Sequence, residues 1–169
     1  AKGDILLFKD ADSPLPKNFL KPALQEFNKR GLDIAGTLQY PISSVNGFEA
    51  LRHRLYIEFF ANSYLTSAEN TSSPLMQNCM FARRAVHEAI GGFDETLEFG
   101  EESEYAKRAK RAVAKGYKFG ILKTPGKVGF SMRRFDENEL KMLLKNVYFT
   151  TGRKLGHEFK RNESIVRYW

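Results

Sequence analysis

Asp10 and Asp12, two aspartates one residue apart, follow directly on the apolar run Ile5-Leu-Leu-Phe8. A strand over that run would bury its side chains and deliver both carboxylates at its carboxyl end, where open α/β sheets place ligands. Residues two apart on extended backbone share a face. The pair would then offer two hard oxygen donors side by side, a set suited to Mg2+ or Mn2+ carrying a diphosphate. Asp-x-Asp-Ser-Pro is also good turn chemistry, and a solvated turn is the alternative. In Ile90-Gly-Gly-Phe-Asp-Glu95 a glycine pair, Gly91 and Gly92, ends a helix and lets the backbone turn sharply toward Phe93, Asp94 and Glu95. A helix cap followed by a hydrophobic plug explains the same residues. In Gly100-Glu-Glu-Ser-Glu-Tyr-Ala-Lys-Arg108 carboxylates gather at a helix N-terminus, where the helix dipole stabilises negative charge. They cap the helix, or one of them faces a cleft and takes a proton from a substrate hydroxyl. Arg133 and Arg134 can clamp a phosphate or form a solvated basic turn.

The elements that must position these residues alternate, which predicts a mixed or parallel α/β sheet flanked by helices. Asn18 is placed to cap a helix over residues 18–29, with Leu20, Ala23, Leu24 and Phe27 on its buried face and Gly31 ending it. A strand over 32–36 leads through a loop containing Pro41, Ser43, Ser44 and Gly47 to a helix over 48–64. There Leu51, Leu55, Phe59 and Phe60 form an apolar stripe interrupted by Arg52, His53 and Arg54. A polar loop over 66–74, a strand over 74–81, a short helix over 84–90, a helix over 101–115 ended by Gly116 and a last core strand over 118–122 complete the series. The Gly/Lys-rich stretch 123–129 is the candidate boundary. Beyond it, Leu140, Leu143, Leu144, Val147 and Tyr148 give the tail a helical stripe flanked by Lys141 and Lys145, suited to core packing or to an acidic membrane surface.

Composition narrows the classes. With 169 residues, 42% of them hydrophobic, the chain can bury one core, and its length argues for one domain. The lone cysteine, Cys79, excludes an internal disulfide framework and a cysteine-rich zinc site and fits a reducing compartment. The apolar runs are too short to span a bilayer, and the first residues lack the apolar core of a signal peptide, so the expected location is cytoplasmic, with the basic tail able to rest on the inner face of a membrane. A net charge of +7 attracts anions, whether nucleic acid, acidic lipid or phosphorylated small molecules.

Taken in order, Leu6-Leu-Phe-Lys-Asp-Ala-Asp-Ser13, Asn78-Cys-Met-Phe-Ala-Arg-Arg84, Ile90-Gly-Gly-Phe-Asp-Glu95, Gly100 to Arg108 and Lys115-Gly-Tyr-Lys118 resemble the inverting GT-A glycosyltransferases of family 2. The resemblance runs to about Phe135 and implies a partial GT-A, Rossmann-like mixed sheet over residues 1–135, with 136–169 as an amphipathic helical tail. It implies transfer of a sugar from a nucleotide-sugar donor to a sugar or lipid-linked acceptor, with inversion. By that likeness Asp10 lies near the donor ribose and the metal, and Asp12 ligates the ion, Mn2+ or Mg2+, that bridges the diphosphate. Gly92, Phe93, Asp94 and Glu95 line the acceptor side. Glu101 and Glu102 supply the base, Glu102 in the base position, although the family usually has Glu-Asp there. The Gln-x-x-Arg-Trp motif of processive members is absent from the tail, which implies single transfers. In that family a nucleotide-binding half precedes the Asp-x-Asp strand, so the expectation here is a carboxyl-terminal portion, weakly active or inactive alone. Its open hydrophobic edge at residues 5–9 could pair with a second copy.

Two other classes compete. A haloacid dehalogenase-like phosphatase would use Asp10 as nucleophile and Asp12 as general acid. That family expects Gly-Thr after the second aspartate, where Ser13-Pro14 stands, and it leaves Glu101 and Glu102 unexplained. A basic nucleic-acid-binding module would use the aromatics among basic residues in 48–64 and 117–135, but no base-reading motif accompanies them.

Overall fold

The computed structural model describes residues 2–42, 46–63, 65–66, 78–97, 101–112, 116, 118–123 and 126–132. Arg133, Arg134, the tail, and most of the 66–81 segment read as loop and strand lie outside them. The apolar run forms β1 (Ile5–Lys9), paired antiparallel with β4 (Cys79–Arg83) from Ile5 opposite Arg83 to Lys9 opposite Cys79. On the other side of β4 runs β2 (Ile34–Thr37), antiparallel to it and parallel to β5 (Phe119–Leu122). The sheet order is β1-β4-β2-β5, a mixed sheet as expected. A strand at the sheet edge buries less than a central one: Leu6 is buried, whereas Ile5, Leu7 and Phe8 are half-buried.

Alternation along the central strands gives the sheet two apolar faces. Ala35, Phe81 and Leu122 pack under α1 (Leu20–Lys29), which contributes Ala23 and Phe27. Ile34, Met80, Ala82 and Ile121 point the other way and cluster with Tyr105 and Ala109 of α4 (Glu101–Ala112) and with Val86 of α3 (Arg84–Ala89). Both faces are therefore covered by helices, which is why β4 is apolar and buried from Cys79 to Ala82 without interruption.

Several expectations are corrected. Asn18 does not cap α1: it takes a left-handed conformation at φ 58°, which asparagine tolerates, and Phe19 occupies the cap position with its ring in the core. Leu20 is exposed and Leu24 half-buried, so the buried face of α1 is Ala23 and Phe27. Over 48–64 the chain forms α2 (Phe48–Leu55) and continues as π-helix over Tyr56–Asn62. Its inward face carries His53, Ile57 and Asn62, while Leu51, Leu55 and Phe59 are exposed; the side chain of Phe60 lies outside the described set. The cause is polar. The Asn62 amide accepts from Gln39 N–H and donates to Gln39 O, both at 2.8 Å, and this pairing turns the polar face toward the protein.

A second, two-stranded sheet was not foreseen: β3 (Gln39–Ile42) runs parallel to β6 (Val128–Ser131). Pro41 and Gly129 hide these strands by reading as turn residues. At Gly129 a Cβ would meet Ile42 Cδ1 at 2.5 Å and Pro14 Cδ at 2.9 Å, so these side chains fill the space that a larger residue would need. The 123–129 stretch thus leads back into the fold, with Val128 in the α1 core cluster.

Candidate active site

The turn after β1 comes first. Asp10 N–H donates to Asn78 O at 3.0 Å, extending the ladder one residue beyond the strand. Ser13 N–H then donates to Asp10 O at 3.1 Å, so Asp12 stands on a turn and not on extended backbone. The shared-face argument for the two carboxylates therefore does not apply; both are exposed on the turn itself. The Lys9 ammonium reaches across it, donating to Asp10 O and to Ser13 O.

Beneath the turn lies a buried polar network. Asn78 Nδ2 donates to Ser13 Oγ at 2.9 Å and to Gly129 O at 2.7 Å, and Asn78 Oδ1 accepts from Gln39 Nε2 at 3.0 Å. Gly129 N–H donates to Pro14 O at 3.1 Å. Gln39, Asn62 and Asn78 were missed as site residues because their partners are far away in sequence. The available signal was a polar residue, Asn78, directly before the apolar run from Cys79 to Ala82.

The second turn follows α3. Gly91 and Gly92 take φ of 74° and 80°, values that favour glycine. Asp94 Oδ1 accepts from Thr96 N–H at 2.9 Å and from Thr96 Oγ1 at 2.7 Å, and buried Leu97 closes the turn through Asp94 O. Phe93 stacks on Tyr105 of α4 with ring centroids 4.5 Å apart, and Tyr105 OH lies 3.0 Å from His87 Nδ1. Burial pushes the Tyr105 hydroxyl up to about 12. Arg108 Nε pairs with Glu104 at 2.6 Å, while its terminal nitrogens donate to Ile90 O and to Gly92 O. The hydrogen bond to Glu104 raises the Arg108 pKa, so this guanidinium stays charged.

Phe8 joins the two turns. Its ring meets Phe93 edge-on at 5.0 Å and Tyr105 at 6.3 Å. Phe8 precedes Asp10 by two residues, and Tyr105 follows Glu102 by three. The end of β1, the glycine turn and the start of α4, which carries half-buried Glu101 and Glu102, are thus parts of one packed unit. Arg133 and Arg134 lie outside the described residues. Among the described residues no three of His, Cys, Asp and Glu converge as a metal-binding group. Asp10 and Asp12 supply two hard oxygen donors, the number with which Mg2+ is commonly bound when substrate phosphates complete its shell, so the residues present fit such an ion. Cys79, buried and pushed up to about 11, is no nucleophile.

A mixed sheet covered by helices on both faces, with a carboxylate pair on the turn after one strand and another opening a covering helix, is consistent with a GT-A-like fold. The family model Glycosyl transferase family 2 matches residues 1–91, more than half of the chain, and the chain belongs to that family. The match takes in the Asp10–Asp12 turn and β4 and ends at Gly91, before Glu101 and Glu102. No curated protein and no solved structure matches significantly. Among the described residues no helix is long and apolar enough to cross a membrane.

Proposed function

We propose that this chain carries the metal and acceptor side of a transferase that moves a sugar from a nucleotide-sugar donor to an acceptor hydroxyl, with inversion at the anomeric carbon and with help from a divalent ion. One arrangement carries the reading: the exposed Asp10 and Asp12 and the α4 carboxylates Glu101 and Glu102 stand on elements locked together by Phe8, Phe93 and Tyr105. Asp10 and Asp12 would hold Mn2+ or Mg2+ beside the donor diphosphate. When bound, the ion offsets the charge that grows on the departing nucleoside diphosphate. Glu102 accepts the proton of the acceptor hydroxyl as its oxygen bonds to the anomeric carbon and the bond from that carbon to the diphosphate breaks. Glu101 shares the helix N-terminus, where negative charge is favoured. Gly92, Phe93, Asp94 and Glu95 line the acceptor side. Arg133 and Arg134 are assigned to the diphosphate from the sequence alone, as guanidinium groups suited to a phosphate.

The test is calorimetric titration of UDP- and GDP-sugars with Mn2+. Binding that EDTA abolishes and that Asp12→Asn removes is the expected result; binding indifferent to metal and to Asp12→Asn would overturn the proposal. Where turnover is measurable, Glu102→Gln lowers kcat by about 100-fold or more while donor binding persists. Family membership and the α4 carboxylates leave the phosphatase reading without support.

A further inference from the structure

Asn78 sits directly before β4, 5% exposed, and both its backbone carbonyl and its side-chain amide point into the segment that carries the aspartates. Its carbonyl accepts from Asp10 N–H at 3.0 Å, and its Nδ2 donates to Ser13 Oγ at 2.9 Å. The first and last residues of the Asp10–Ser13 turn are therefore fastened to one side chain and its own backbone. The remaining bonds fasten Asn78 in turn, to Gly129 O at 2.7 Å and from Gln39 Nε2 at 3.0 Å. Ser13, Gln39 and Asn78 are all buried, so water is not at hand to replace a lost partner. Gly129 closes the arrangement from β6 by donating to Pro14 O at 3.1 Å, an approach a side chain would block.

We infer that Asn78 is a positioning residue for the donor turn: it fixes the Asp10–Ser13 backbone so that two solvent-facing carboxylates hold a set spacing before any cation arrives. The inference rests on the proposal that Asp10 and Asp12 hold the metal–diphosphate. Exposed carboxylates on an unsupported turn would have to be ordered when the ion binds, at the expense of affinity. Groups that orient metal ligands from behind affect affinity without touching the metal. Loss of this support acts on metal and donor binding and leaves the proton acceptor Glu102, on a different element, unchanged.

The experiment titrates Mn2+ into the full chain by electron paramagnetic resonance, with UDP in one arm and GDP in another. It uses wild type, Asp12→Asn, Asn78→Ala, Ser13→Ala and Thr37→Val. Ser13→Ala removes one hydroxyl from the network and serves if Asn78→Ala does not fold. Thr37→Val deletes a buried hydrogen bond from Thr37 Oγ1 to Cys79 O at 3.3 Å, one residue further along the chain, and leaves the bond from Asn78 to Ser13 in place. The expected result is a Kd for Mn2+ raised about tenfold in Ser13→Ala, with a changed bound-Mn2+ line shape, and an unaltered Kd in Thr37→Val at a similar loss in Tm. Unaltered Mn2+ affinity in Ser13→Ala, or equal weakening in Thr37→Val, would overturn the role of Asn78 alone. Wild type that binds no Mn2+ in either arm, or Asp12→Asn that binds as wild type does, would overturn the metal assignment and this inference with it.

Discussion

The turn at Asp10–Ser13 is fastened by amides and a hydroxyl: Asn78, Gln39 and Ser13, with Gly129 pressed against Pro14. The turn at Gly91–Asp94 is fastened by rings and a guanidinium: Phe93 on Tyr105, Phe8 against both, and Arg108 on the carbonyls of Ile90 and Gly92. Hydrogen bonds between buried amides are directional, and a satisfied network admits few alternative arrangements. Ring packing is broad in angle and can readjust around a changed neighbour. Under the proposed function, the turn after β1 would thus be held for spacing, as ligation of a small cation requires, and the glycine turn for bulk, as contact with a sugar face requires. Phe8, two residues before Asp10, is where the two kinds of support meet.

If the two supports are separate, breaking one should leave the other's readout in place. The largest effect is expected for Phe93→Ala, which removes the stacked ring. Because Phe93 is half-buried, its cost lies at the low end for aromatic truncation, about 3 kcal/mol in urea unfolding. Mn2+ affinity at the turn after β1 should hold at temperatures below the lowered Tm; a parallel loss of Mn2+ binding would show that the ring contacts, and not the Asn78 network alone, set the spacing of Asp10 and Asp12. Next comes Gly129→Ala. Its new methyl must displace Ile42 and Pro14, and overpacking of this kind costs about 2 kcal/mol. Here Mn2+ affinity should fall, since Pro14 adjoins Ser13, while near-ultraviolet dichroism from the Phe93–Tyr105 stack stays constant. Arg108→Met is smaller, about 1 to 2 kcal/mol for hydrogen bonds lost at Ile90 O and Gly92 O. It should raise the KM for acceptor with the donor KM unchanged.

Local and nonlocal signals explain what could be read in advance. β1 with its aspartates, α3 with the glycine pair, and α4 with its glutamates are each written in a contiguous stretch, as an apolar run, a positive-φ glycine pair or a charged helix start. Their type was legible, and β5 with them. What joins them was not. The bonds from Asn78 to Ser13 and to Gly129 span 65 and 51 residues, and neither end carries a periodicity. The inward face of α2 failed for the same reason: the pattern of Leu51, Leu55 and Phe59 says buried, and Asn62 pairing with Gln39 overrides it. Pro41 and Gly129 concealed β3 and β6 because both read as strand-ending residues; at Gly129 the side chains of Ile42 and Pro14 occupy the space a Cβ would need.

Glu58 gives the finest test of the polar side, since it lies on the same π-helical segment as Asn62 and is bound by Lys127, next to β6. The hydrogen bond from Lys127 holds the Glu58 carboxyl below the usual carboxylate range, with burial opposing it. A carboxyl whose folded pKa is depressed adds stability above its unfolded pKa, and that stability is lost as pH falls through the folded value. Lys127→Met should therefore lower Tm slightly at neutral pH and hardly at all at pH 3, flattening the acid side of the stability curve. Each partner is about 35% exposed, so solvent screens the pair and the change should be the smallest of the set. If Lys127→Met also weakens Mn2+ binding, support for the donor turn reaches through Asn62 and Gln39 to the π-helix. If Tm shifts and the ion still binds as in wild type, the network ends at Asn78 and Gly129.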